Sequence, residues 1–221
     1  MAGCSRPLIT NEIKLAEKID TGTPIKQQID FINNIAAEGD IIFRGGTDIE
    51  SNIIRDFSYQ DKLFSHSGIL IKEGNKLMVT HILGGSTNPQ GSILSQPIQQ
   101  FLSYPDNESA GIYTTGLSKQ ELIKVSAFLD SLKKINVTFD LRFNLFTKQQ
   151  LYCTEVLIDA LCFAKKNNKL FLPTSFNLKN TKYFFLANKG NEFLFYPIDV
   201  FQHHRFLKKK AIFYFPNYEK R

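Results

Sequence analysis

The chain has 221 residues, of which 43% are hydrophobic and 22% charged, and a formal net charge of +6. That length fits one domain with appendages better than two, and the composition excludes disordered, collagen-like and coiled-coil chains. No apolar run approaches the ~18 residues of a membrane span, and three cysteines (Cys4, Cys153 and Cys162) do not suggest a disulfide framework.

The chain opens Met1-Ala2-Gly3-Cys4-Ser5. This resembles the end of a bacterial lipoprotein signal, in which Cys4 would be acylated. Under that reading the protein attaches to a membrane of the cell envelope through Cys4; otherwise it is expected in the cytoplasm. Residues 1–38 read as a helical lead-in to a domain over 39–221. Thr23-Pro24 and the spacing of Ile25, Ile29, Ile32 and Ile35 predict an amphipathic helix. Asp40–Phe43 reads as a buried strand. Thr47-Asp48 caps a helix running through Ile49, Ile53, Ile54 and Phe57. Two β-rich runs, Ser67–Lys72 and Lys76–Leu83, flank Glu73-Gly74-Asn75 and predict a hairpin.

Pro97–Tyr104 reads as a short helix and Gly111–Thr115 as a strand. Ser118 caps a helix that carries Leu122, Val125, Phe128, Leu129 and Leu132 on one face. Leu141–Phe146 reads as a strand and Cys153–Lys165 as a second helix. Tyr183–Ala187 and Glu192–Tyr196 suggest a hairpin around Asn188-Lys189-Gly190. A short helix starts at Pro197 and a last strand spans Ala211–Phe215. The order of elements predicts an α+β domain. The final 17 residues carry a net +5, through Arg205, Lys208, Lys209, Lys210, Lys220 and Arg221 against Glu219. No alternation of basic and aromatic residues accompanies them, so they read as a solvated strand, and no nucleic-acid partner is expected.

Chemistry concentrates at three residues. A two-residue turn at Gly74-Asn75 makes His66 and His81 diagonal neighbours on one face of the hairpin, with Gly68 leaving room between them. A three-residue turn would put them on opposite faces. Cys153 opens a helix, where oriented N–H groups and the macrodipole favour a thiolate. Cys162, nine positions on, falls on the opposite side of that helix, as a small core residue. Cys153 as nucleophile, His66 as base and His81 as its orienter make a Cys–His–His arrangement. Adjacent His203 and His204 lack a spaced third donor and read as surface or loop residues.

Gly39-Asp40-Ile41-Ile42-Phe43, Phe64-Ser65-His66-Ser67-Gly68-Ile69 and Tyr152-Cys153-Thr154-Glu155-Val156 together resemble the YiiX-like family of circularly permuted papain-like amidases. These are relatives of NlpC-type cell-wall peptidases and of lecithin:retinol acyltransferases. The likeness covers about residues 39 to 165. It implies a permuted papain-like fold, with an antiparallel barrel-like sheet packed on the Cys-bearing helix, Cys153 as nucleophile and His66 as base. The third member in the YiiX branch is usually an acid one strand after the His, where His81 stands here; the acyltransferase branch uses a His. Asp140 and Glu155 also match family positions. Asp140 reads as a structural loop cap, and Glu155 points away from the Cys153 pocket.

The expected activity is a thiol hydrolase cleaving an amide or ester through a Cys153 thioester, without a cofactor. A cell-wall peptide, an acyl-amide or a lipid is the substrate class implied. Two other readings stay open. One is a zinc site built from His66, His81 and Cys153. The other is a non-catalytic binding module of the envelope.

Overall fold

The computed structural model describes residues 25–85 and 88–215. Cys4, Lys220 and Arg221 lie outside them. In chain order the elements are α1 (Ile25–Ile35), β1 (Ile41–Gly46), α2 (Ile49–Asp56), β2 (His66–Glu73), β3 (Lys76–Ile82), β4 (Ile93–Pro97) and α3 (Ile98–Leu102). There follow β5 (Asn107–Thr114), α4 (Lys119–Lys134), β6 (Thr138–Phe139), β7 (Gln150–Leu151), α5 (Cys153–Lys165), β8 (Thr174–Asn177), β9 (Glu192–Phe195) and β10 (Lys208–Tyr214).

Several elements follow from local chemistry. Asp48 caps α2 by accepting the Ser51 N–H at 2.8 Å. At α4, Ser118 Oγ accepts the Glu121 N–H while Glu121 accepts the Ser118 N–H at 2.8 Å, a reciprocal capping box. The turn between β2 and β3 has two residues, with Gly74 at φ +63°, and pairs Glu73 with Lys76 and Ile69 with Thr80.

One sheet organises the fold. Its six strands are antiparallel, in the order β10-β5-β1-β2-β3-β4. Successive side chains alternate between its faces, so two apolar layers form. Ile41, Phe43, Ile69 and Ile71 pack with Val125 and Leu129 of α4 and with Val156, Leu157 and Leu161 of α5. Ile42, Leu70, Val79 and Ile112 pack with Ile29 and Ile32 of α1 and with Ile98 and Phe101 of α3. The architecture is mixed α+β: helices on both faces of an antiparallel sheet.

Three expectations are corrected. The sheet is not barrel-like: β10 and β4 are edges with no partner between them, and Pro97, with no N–H to give, ends β4. Leu141–Phe146 is not a strand. Asp140 gathers this loop instead, accepting N–H bonds from Arg142 at 2.8 Å and Asn144 at 2.6 Å. Tyr183–Ala187 does not pair with Glu192–Tyr196 either. Phe184–Leu186 is a 3₁₀ turn, and β9 pairs with β8. The Asn188 side chain bonds both the N–H and the carbonyl of Leu194, occupying the edge a hairpin partner would need. The strand β4 carried no signal strong enough to be expected.

Candidate active site

Arg44 on β1 lies opposite His66 on β2. On β2, residues 66, 68 and 70 face α3, while 67, 69 and 71 face α5. The β2–β3 register then carries His81 to the His66 side of the sheet. His66 Nε2 and His81 Nδ1 are 2.8 Å apart, a hydrogen bond between nearly buried rings at 6% and 1% exposure. Phe101 of α3 packs against both rings, at 5.6 Å and 5.1 Å between centroids. Gly68 makes this approach possible. A Cβ there would lie 2.5 Å from Val79 Cγ1 and 3.2 Å from His81 Cβ.

Cys153 is the first residue of α5, with Tyr152 as its N-cap. The paired register of β2 and β3 runs from Glu73–Lys76 to Ile69–Thr80. The Ser67 N–H, two residues short of Ile69, bonds the thiol, and the Thr154 hydroxyl lies 4.0 Å from Sγ. The thiol is thus anchored at Ser67, the residue after His66, whose side chain faces α5 while that of His66 faces α3. The sulfur's bonding partners are Ser67 and Thr154, and His66 directs Nε2 at His81. The structure brings the two histidines together; the cysteine is anchored at Ser67, on the α5 face of β2, and forms no thiol–imidazole bond.

Burial decides the protonation of all three. It pushes the His66 imidazole well below its ordinary 6.5 and that of His81 down to about 3, with the Arg44 charge adding to both effects. It pushes the Cys153 thiol up, against the bonds from Ser67 and Thr154. The expected helix-terminus activation is therefore corrected. Desolvation of a thiol only 3% exposed outweighs the favourable N–H groups. At rest the thiol and both imidazoles are neutral.

The sequence reading missed Arg44. Its guanidinium is 6% exposed and stacks over Tyr104 at 4.0 Å, with Phe101 at 5.6 Å. Burial lowers its pKa, against the favourable charges of Tyr104, Asp106, Asp48 and Cys153. It lines a cavity of about 220 Å³ together with Asp48, Asp106, Tyr104 and Phe139. The available signal was an arginine one step beyond the buried run Ile41-Ile42-Phe43, in register with His66.

The remaining candidates lie elsewhere. Asp140 is buried in its loop, a structural role. Cys162 is buried in the core layer beneath α5. Glu155 faces a different cavity, shared with Asp159 and Tyr196. His204 bonds the Leu170 carbonyl at 3.0 Å and packs against Phe171 and Phe206. Among the described residues no group of three or more His, Cys, Asp or Glu is arranged to hold a metal ion, and no helix is long and apolar enough to cross a membrane.

No family model and no curated protein matches this sequence. Among solved structures, the metalloprotein YiiX from Escherichia coli O157:H7 matches with a TM-score of 0.61 and 18% identity, over 80% of this chain and 97% of that one. This chain is similar in fold to YiiX. At that identity the likeness speaks for the fold alone. Its coverage of nearly the whole of YiiX makes the mixed α+β layering one shared unit, consistent with the YiiX-like resemblance read from the three motifs.

Proposed function

We propose that the protein is a thiol hydrolase or acyl-transfer enzyme of permuted papain-like design, with Cys153 as nucleophile, His66 as general base and His81 as a positioning residue. The observation that carries this reading is the 2.8 Å His66–His81 bond, one residue along β2 from Ser67, whose N–H bonds the helix-initiating Cys153. It leaves Nδ1 of His66 as the nitrogen for the thiol, while Nε2 is held by its neighbour. The tautomers follow. For Nδ1 to accept the thiol proton, Nε2–H of His66 donates to Nδ1 of His81. His81 then carries its own proton on Nε2, which is buried without a hydrogen-bond partner.

The chemistry starts from neutral partners, so proton transfer accompanies attack. Cys153 Sγ bonds to the carbonyl carbon of an amide or ester as its proton passes to His66. The tetrahedral intermediate collapses to a thioester when His66 returns that proton to the leaving amine or alcohol. Water or an acceptor nucleophile, deprotonated by His66, then releases the acyl group and restores the thiol. The motifs imply a cell-wall peptide, an acyl-amide or a lipid as substrate class.

YiiX is described as a metalloprotein, so a metal on the same side chains has to be considered. The residues as placed do not fit one. At 2.8 Å the two ring nitrogens share a proton, whereas nitrogens ligating one Zn²⁺ at ~2.0–2.1 Å in a tetrahedron lie farther apart. The deciding experiment exposes the protein to activated acyl esters and N-acyl amides and measures intact mass. The expected result is a stoichiometric acyl adduct that maps to Cys153 and is absent in Cys153→Ala. No adduct anywhere between pH 6 and 9 would overturn the thioester reading and favour a binding module.

A further inference from the structure

Arg44 presents a buried charge that Asp48 and Asp106 act on across a cavity without pairing with it. Among the described residues its guanidinium forms no ion pair, its Nε is buried without a hydrogen-bond partner, and its close contacts are the faces of Tyr104 and Phe101. The other nearly buried arginine, Arg55, is treated differently: it bonds the Leu63 carbonyl and pairs with Glu108 at 2.5 Å. A buried cation without a direct ion pair or hydrogen bond is destabilising, so the fold leaves the guanidinium's donors for a partner from outside. The guanidinium also lines the cavity of about 220 Å³, next to the His66–His81 pair, giving an external partner room to reach it.

The rim of that cavity selects among anions. Asp48 and Asp106 line it and are hydrogen-bonded to each other. That bond holds Asp48 down to about 2 and raises Asp106, so the pair keeps at least one negative charge. Glu50 stands at the same rim. These acids repel a dianion such as phosphate more than a monoanion. A carboxylate is planar, singly charged and matched to the forked donors of a guanidinium. The apolar walls, Leu83, Phe139 and Leu141, suit the carbon skeleton attached to it.

We propose that this cavity binds the carboxylate group of a small organic ligand, with the Arg44 guanidinium as its anchor. If the thioester reading holds, that carboxylate belongs to the acyl substrate; carboxylate binding itself does not require Cys153 to react.

The test is isothermal titration of the full chain at pH 7 with N-acetylglycine, its neutral amide N-acetylglycinamide, and inorganic phosphate. N-acetylglycine is expected to bind at least tenfold more tightly than either of the others. Arg44→Met should lose at least tenfold in that affinity, and Arg44→Lys should recover only part of it, because the charge returns without the fork. Without ligand, Arg44→Met should raise Tm by about 3 °C, since it removes an unpaired buried charge. Equal affinity for the acid and its amide in the unaltered protein overturns the proposal, whichever variants fold. So does tighter binding of phosphate, or undiminished binding by Arg44→Met. Cys153→Ala should bind N-acetylglycine as the unaltered chain does. Arg44-dependent binding with an unreactive Cys153 would sink the thioester reading alone; a reactive Cys153 with no carboxylate preference would sink this one alone.

Discussion

Two regions of this molecule bury ionisable groups, and they do so with opposite consequences. On the α3 side of the sheet, burial drives His66 and His81 down, so both are neutral bases. Around α5, it drives Glu155 up to about 9 and Asp159 up to about 6. The physics is one effect, desolvation of the charged form, read on bases and on acids. The partners differ. The histidines bond one another and leave His81 Nε2 without a partner, whereas Glu155 accepts only a backbone N–H, from Tyr152, and leaves Oε2 without one. Two side chains share the bond in the first region; in the second a lone carboxyl stores a pH-dependent cost.

The comparison can be broken most forcefully at the histidine side. Once an acyl ester that labels Cys153 is in hand, Cys153→Ala should abolish turnover. His66→Ala should lower kcat/KM by roughly 10²–10⁴-fold, and His81→Ala by less, because it acts through His66. His81→Glu should keep or raise activity. A carboxylate there steadies the His66 imidazolium and faces Arg44, so the alkaline limb of the rate profile should move to higher pH. A dead His81→Glu beside a fully active His81→Ala would show that His81 does not position the base.

The acidic side makes the next largest difference. Folded Glu155 keeps a proton that the unfolded chain loses near its ordinary 4.5, so stability falls as pH rises from there toward about 9. At pH 7 the cost is about 3 kcal/mol. Glu155→Gln should remove it, flattening the alkaline side of a urea-denaturation profile. The histidines work the other way. The folded chain binds fewer protons than the unfolded one below 6.5, so their contribution is lost as pH drops through that value and on toward about 3. That acid limb should survive in Glu155→Gln. If both limbs vanish together, the two regions are coupled rather than separate.

Gly68→Ala is a smaller and more local probe. The added methyl meets a β-branched side chain fixed in the sheet, so we expect a destabilisation of about 1–3 kcal/mol by chemical denaturation. Altered shifts of the His66 and His81 rings by NMR should accompany it. Smallest is Ser118→Ala, which removes one half of the α4 capping box, whose Glu121 meets α5 only at Lys165, the end remote from Glu155. It should cost about 1 kcal/mol and leave both pH limbs unchanged.

Much of this was legible in the chain because it is local chemistry. Asp48 and Ser118 announce their helices by the N–H groups they accept. Gly74-Asn75 sets the β2–β3 register within a span of two residues, and that register alone brings His66 beside His81. The 13-residue helix from Cys153 to Lys165 was visible from its own pattern. Only the tertiary structure decided the rest. Whether Leu141–Phe146 extends as a strand depends on Asp140 gathering the loop, and whether β9 pairs with β8 depends on the Asn188 side chain. The thiol's protonation turns on how deeply the sheet and α5 enclose it, which no local N–H count contains. Arg44 becomes noticeable only when the fold buries it without a direct ion pair. Short-range hydrogen bonding is written in neighbouring residues, whereas desolvation is set by every element packed around a group.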